Sequence, residues 1–334
     1  MTTLRDVAKR AGVSISVVSA VLNGSQYVRT SAAVRERVLR TVAEMNYVPN
    51  NAARSLRLSR SGLVAAIIPK LSNPIYEDML RGIQDAAESS GYALILTEAQ
   101  RVRPGSDLLR RLIGEGRADG FLVRSPRALE PFNTLPKRRL PVVQLDAGST
   151  TRQGSVRLDN RNGAFVATTH LIELGHEQIA FIGGDKEHFA AKERRQGFRD
   201  ALRIAGLTSR QRWIRPVGFS ADDGYRATHE ILTQPSRPTA AVVNNSTTAL
   251  GVLSAAADLG IPVPDDLSVI GYHDIPSAAH IRPALTTVRM PFYELGHAGQ
   301  TMLASLINGD DPRDIVVNDP PPQIIERGST ARRR

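Results

Sequence analysis

Apolar residues follow two regimes along this 334-residue chain, and the period changes near residue 62. Up to that point the spacing is helical. Leu4, Val7, Ala8 and Ala11 recur at i, i+3, i+4 and i+7 behind a capping Thr3, so one face of a short helix can be buried. Gly12 supplies a tight turn, and a second helix follows with Val17, Val18, Val21 and Leu22 inward. Ser14 opens that helix, and its outer face carries Ile15, Ser16, Ser19, Ala20 and Asn23. A third helix over 34–45 sets Val34, Val38, Val42 and Met45 to one side, enough to close a small three-helix domain.

Beyond Gly62 the apolar runs are continuous rather than alternating, the pattern of strands covered on both faces in parallel α/β sheets. LVAAIIP (63–69), YALILT (92–97), DGFLV (119–123) and PVVQLD (141–146) are separated by helical stretches near 75–90, 106–116 and 126–137. A second set, QIAFIGG (178–184), WIRPV (213–217), TAAVVN (239–244) and LSVIGY (267–272), is interleaved with helices near 161–174, 189–206, 221–233 and 246–260. LTTVRM, a helix at 292–308 and a strand near 323–327 follow. The expected fold is an all-α helix-turn-helix headpiece followed by an α/β core of two doubly wound parallel-sheet lobes. Such lobes leave a cleft at the carboxyl ends of their strands, where small ligands bind.

Charge is concentrated at the headpiece. Residues 1–60 hold ten Lys and Arg against three Asp and Glu, a net of +7 out of +10 for the whole chain. That is the footprint of a polyanion partner, since each cation near a phosphate releases condensed counterions. A helix-turn-helix then points to double-stranded DNA, its second helix lying in the major groove. No Cys is present, which excludes a disulfide framework and any thiol nucleophile. There is no GxSxG, GxxxxGK[ST] or HExxH, and the His residues do not fall at metal-ligand spacing, so neither an enzyme, a cofactor nor a metal site is expected. No charged segment leads into an apolar one at the N-terminus and no run approaches 18 apolar residues. The expected location is the bacterial cytoplasm, at the nucleoid, without membrane association.

The run DVAKRAGVSISVVSAVLNG followed by NYVPNNAARSLR resembles the headpiece of the LacI/GalR family of bacterial repressors. The resemblance continues through LDN at 158–160, RRQGFRDAL at 194–202 and NNSTTALGVLSAAADLGIPVPDDLSVIGYHD at 244–274. It implies a core like that of periplasmic sugar-binding proteins, with domains at 1–48 (DNA-binding), 49–61 (hinge helix and linker), 62–160 with 291–319 (first lobe), 161–290 with 320–330 (second lobe) and a basic tail at 331–334. By the family pattern Ile15, Ser16 and Ala20 read bases, within a DNA-binding set completed by Ser14, Ser19, Asn23, Asn50, Ala53 and Leu56. Leu56 would wedge into the minor groove from a helix that folds only on DNA. Val17 and Ala20 depart from the usual Thr and Arg. The resemblance places the effector against Tyr76, Arg124, Asp146, Leu158, Arg194, Phe219, Asn245, His273 and Asp274. Asn245 and His273 stand where repressors of neutral sugars carry Asp, while Arg124 and Arg194 add forked donors suited to a carboxylate or phosphate. The function implied is that of a homodimeric repressor on a palindromic operator, controlled by a sugar or a sugar-derived acid or phosphate. Control by a protein corepressor, or a cytosolic solute-binding role without DNA, are the other readings.

Overall fold

The computed structural model describes residues 2–22, 30–47, 60–133, 140–148 and 153–333, and divides into two compact units at Ser61/Gly62. The first unit contains α1 (Leu4–Ala11), α2 (Ile15–Leu22) and α3 (Ala32–Glu44). Thr3 caps α1 in a capping box with Asp6, whose carboxylate accepts from the Thr3 backbone, so two orphan donors of the first turn are satisfied together. Gly12 ends the helix at φ 64, a conformation that costs glycine nothing, and this turn aims α2 across α1. Val7, Ala8, Ala11, Val18, Val21 and Val38 form the buried centre, and Val17, Leu22, Val34, Val42 and Met45 pack around it half-buried. One expected position differs. Ala20, expected on the outer face of α2, is buried at 8% exposure, on the helix flank beside the buried Val21 and, one turn back, the half-buried Val17.

The second unit holds two six-stranded sheets. In chain order their elements are β1 (Leu63–Ile68), α4 (Glu77–Ser89), β2 (Ala93–Glu98), α5 (Asp107–Leu109), β3 (Gly120–Val123), α6 (Pro126–Asn133), β4 (Val142–Leu145), β5 (Gly154–Leu158), α7 (Asn160–Glu173), β6 (Ile179–Ile182), α8 (Phe189–Ile204), β7 (Ile214–Arg215), α9 (Ala221–Leu232), β8 (Ala240–Val243), α10 (Ser246–Asp258), β9 (Ser268–Tyr272), β10 (Thr286–Arg289), α11 (Phe292–Ile307), β11 (Asp314–Val317) and β12 (Gln323–Ile325). The first sheet runs β11-β5-β4-β3-β1-β2, all parallel. The second repeats that winding as β12-β10-β9-β8-β6-β7, with β12 antiparallel to β10 at the edge. β3, β4, β6, β8 and β9 are buried along their whole length, as their unbroken apolar sequences require.

Among the described residues the chain passes between sheets after β5, after β10 and after β11. The second passage returns α11 to the first sheet, where it packs on α4 and against β3, β4 and β5. Glycines make this possible: a Cβ on Gly296 would lie 2.0 Å from the Met79 carbonyl, and one on Gly82 would lie 2.1 Å from that of Tyr293. Two strands stand outside the apolar runs seen in the sequence. GSVRL (β5) and DIVV (β11) are short and interrupted by polar residues, and they pair with each other, Ser155 donating to Asp314 across 2.6 Å. Among the described residues no helix is long and apolar enough to cross a membrane.

Candidate functional site

Both sheets reverse their winding between the first strand and the third, β1 beside β3 and β6 beside β8, and the loops there diverge to leave a crevice at the carboxyl ends. The chain leaving those ends lines a cleft of about 790 Å³: Pro69 and Lys70 after β1, Arg124 and Ser125 after β3, Asp185 after β6, Asn245 after β8 and His273 after β9. Tyr76, His188, Arg194 and Phe219 complete its walls. Two residues at strand ends here, Asp146 and His273, sit in the left-handed region at φ 51 and φ 72. That region is uncommon outside glycine, and it turns both side chains sharply off their strands.

Arginines dominate the chemistry. Arg124 is 6% exposed and donates through Nη2 to Asp146 Oδ2 at 2.7 Å, with its guanidinium 5.1 Å from the Tyr76 ring centre and 5.5 Å from that of Phe292. Arg194, from α8, lies 4.0 Å over the Tyr272 ring and donates to Asn160 Oδ1, the Asn244 carbonyl and His273 Nε2. Asn160 closes the circuit by donating Nδ2 to Asp146 Oδ1 at 2.6 Å. Because His273 Nε2 accepts from Arg194, its proton belongs on Nδ1, which has no partner. Burial, then the Arg194 and Arg124 charges, hold this imidazole far below its usual range and therefore neutral. Burial and the same two arginines bring His188 down to about 4. With both rings neutral, two buried cations face one buried anion, and a single positive charge is left over. At the exposed rim, Glu187 is taken up by Lys192 at 2.8 Å, and Lys70 and Asp185 also line the cleft.

Of the expected effector residues, Tyr76, Arg124, Arg194, Phe219, Asn245 and His273 meet on this cleft. Three do not. Asp146 is fully buried behind the wall, spent on Arg124, Asn160 and the Leu158 N–H. Leu158 is a core strand residue at 1% exposure, oriented inward by the alternation of β5. Asp274 turns to the opposite side of β9, where Thr287, Arg289 and Arg327 hold it beside a second cavity of about 640 Å³. Asn245 lines the cleft with its side chain already engaged within the protein. Its Oδ1 caps α10 by accepting from the Thr248 N–H, and its Nδ2 donates to the Phe219 carbonyl, so it steadies the ring of the wall. His188, Asn160, Asn244 and Tyr272 were not singled out from the sequence. Asn160 carried a signal as the last residue of the LDN triplet, and Asn244 and Tyr272 as members of the 244–274 stretch.

On the first unit, Ser14 accepts from the Val17 N–H at the start of α2 and shares a hydrogen bond with Ser16 at 2.8 Å. Ile15 is 42% exposed, Ser16 is exposed and Ser19 half-buried, so the start of α2 presents an apolar side chain between hydroxyls. Arg5, Lys9, Arg10, Arg35, Arg37 and Arg40 are exposed on the same unit. Asn23, Asn50, Ala53 and Leu56 lie outside the described residues.

A basic helix-turn-helix unit joined to a two-lobed α/β core with a ligand-sized cleft defines a DNA-binding regulator. The family description "Bacterial regulatory proteins, lacI family" matches residues 3–50, and "Periplasmic binding protein-like domain" matches 168–330. The HTH-type transcriptional repressor PurR of Yersinia enterocolitica is 33% identical, covering 99% of this chain and 97% of its own. The chain belongs to the LacI family and is a DNA-binding transcriptional repressor of the LacI/PurR type. The lac repressor dimer bound to operator and the anti-inducer ONPF is 27% identical over 99% of both chains, with a TM-score of 0.79. The transcriptional regulator CelR in complex with cellobiose is 29% identical over 98% of this chain and 100% of its own, with a TM-score of 0.70.

Proposed function

We propose that this repressor binds a palindromic operator as a homodimer in the bacterial cytoplasm and that a small polar molecule in the interlobe cleft sets its affinity. The cleft carries the reading: a ligand-sized space at the strand ends of two lobes, with Arg124 Nε, His188 Nδ1, Thr247 Oγ1 and His273 Nδ1 buried and unpartnered around it. Buried polar atoms are normally satisfied, so four of them on one cavity favour a ligand that supplies their partners. The operator-bound dimer and the cellobiose complex among its relatives support the same arrangement. Pairing is supported by β2, an edge strand with Leu96 exposed at 41%, and by Leu71 exposed at 42%, since an uncovered apolar sheet edge favours association.

One headpiece covers a half-site, so two subunits should occupy half-sites about one helical turn apart. Fluorescence anisotropy of the full chain on selected DNA tests this, with stoichiometry read at saturation and affinity measured across a salt series. Leu56→Ala is expected to weaken operator binding while leaving the melting of the core unchanged. One subunit per operator, or affinity indifferent to salt, would overturn the proposal.

A further inference from the structure

We infer that the molecule taken by this cleft is a small anion, carrying a carboxylate or phosphate group that Arg124 receives; this deepens the effector reading above and rests on it. The inventory of donors and acceptors argues for it. Most acceptors of the buried wall are spent within the protein: Asp146 takes Arg124, Asn160 and the Leu158 N–H, Asn160 Oδ1 takes Arg194, and Asn245 Oδ1 takes the Thr248 N–H, while Thr247 Oγ1 and His188 Nδ1 can each donate or accept and the Asp185 and Glu187 carboxylates stand at the rim. Donors are left over. Arg124 engages one nitrogen with Asp146 and leaves Nε unpartnered at 94% burial, and the Nδ1–H of His273, at 97% burial, is likewise unmet. A neutral polyol needs acceptors for its hydroxyl hydrogens, whereas an anion offers acceptors alone and matches a wall of free donors.

Fixed charge points the same way. Among the buried groups Arg124 and Arg194 against Asp146 leave one positive charge, weakly screened because its bearers are buried, while the carboxylates of Asp185 and Glu187 stand exposed at the rim. The N-termini of α8 and α10 open on this cleft through His188 and Thr247, and His188 supplies no side-chain cap to α8. Both helices therefore set the positive ends of their dipoles at the same space, with the first turn of α8 left without a side-chain cap while Asn245 already takes the Thr248 N–H of α10.

The test is calorimetry and thermal shift on the full chain at constant ionic strength, with inorganic phosphate, D-gluconate, glucose 6-phosphate, D-glucose and D-ribose as probes. Inorganic phosphate and at least one of the two organic anions are expected to bind, gluconate and glucose 6-phosphate separating the carboxylate from the phosphate source, and the neutral sugars are not. Arg124→Gln alone leaves Asp146 unpaired, so the double variant Arg124→Gln with Asp146→Asn keeps the pair neutral and hydrogen-bonded. It should weaken anion binding roughly tenfold or more, the loss of one charge-assisted hydrogen bond. Binding of a neutral sugar, lost in Phe219→Ala, with every anion silent would overturn the anionic class and leave the cleft as effector site. Anion binding unchanged in both the double variant and Phe219→Ala would place the anion elsewhere and overturn both. Silence of inorganic phosphate, gluconate and glucose 6-phosphate alike at roughly 10 mM overturns the inference as well.

Discussion

Asp146→Asn separates an internal counter-charge from a ligand contact, because the two roles give opposite signs. Asn is as tolerant as Asp of the left-handed backbone at φ 51, so the substitution changes charge with little change in strain. The side chain is fully buried and accepts from Arg124 at 2.7 Å, from Asn160 at 2.6 Å and from the Leu158 N–H at 3.4 Å. Removing one partner of a buried ion pair costs about 3–5 kcal/mol, and the amide oxygen keeps part of the hydrogen bonding, so the lower end applies. For a core spanning Gly62–Arg334 about 3 kcal/mol lowers the melting temperature by about 5 °C. At the same time the buried charge rises from one to two positive units, and phosphate should bind more tightly and restore much of the lost stability. Differential scanning fluorimetry with and without phosphate, backed by calorimetry, reads both effects. An unchanged melting temperature, or phosphate affinity that falls with the substitution, would refute the assignment of Asp146 as the counter-charge of Arg124.

Gly296→Ala should destabilise the core by about 1–3 kcal/mol or more, since its methyl would meet the Met79 carbonyl at 2.0 Å and force α4 and α11 apart; urea melts measure it. Stability should decline in mild acid: His188 titrates at about 4 when folded and near 6.5 when unfolded, so the unfolded state binds the extra proton in between. That contribution is complete above about pH 7 and is lost as pH falls through 6.5 toward 4, by up to about 1.4 kcal/mol per pH unit; His273 acts in the same direction, and His188→Gln should flatten the slope in melts at several pH values. Ile15→Asn should change the preferred base at one operator position by about 1–3 kcal/mol without altering the salt slope, read by selection from a randomised operator pool.

The elements most legible in the sequence are those whose environment is uniform. LVAAII and SVIGY can only be strands with both faces covered, and Val7, Ala8 and Ala11 can only be one face of a helix. β5 and β11 escaped notice because each is held by the other, through Ser155 and Asp314, from positions far apart in the chain. The arginines of the cleft were placed by family resemblance together with their chemistry. What they touch was not: Asn160 joins Asp146 to Arg194 only because α7, which it opens, packs on α8 while its own side chain reaches the end of β4. Asp274 and Asp146 were both expected to face ligand, and whether a carboxylate faces a ligand or an arginine is a matter of which side of the strand end it leaves. Backbone dihedrals decide that, and no residue count reveals them.

The late return of α11 and β11 to the first sheet also governs how the protein emerges from the ribosome. About 160 residues separate the end of β5 from the end of β11, and at about 5–20 residues per second their synthesis takes about 8–30 s. Throughout that interval Leu122 and Leu145, which the completed fold covers with α11 near Gly299, have no lid. The headpiece helices, ending at Glu44, are local and can form at once. A nascent chain therefore carries a finished DNA-binding unit ahead of an open apolar sheet, and translation rate and chaperone supply become determinants of how much repressor a cell obtains.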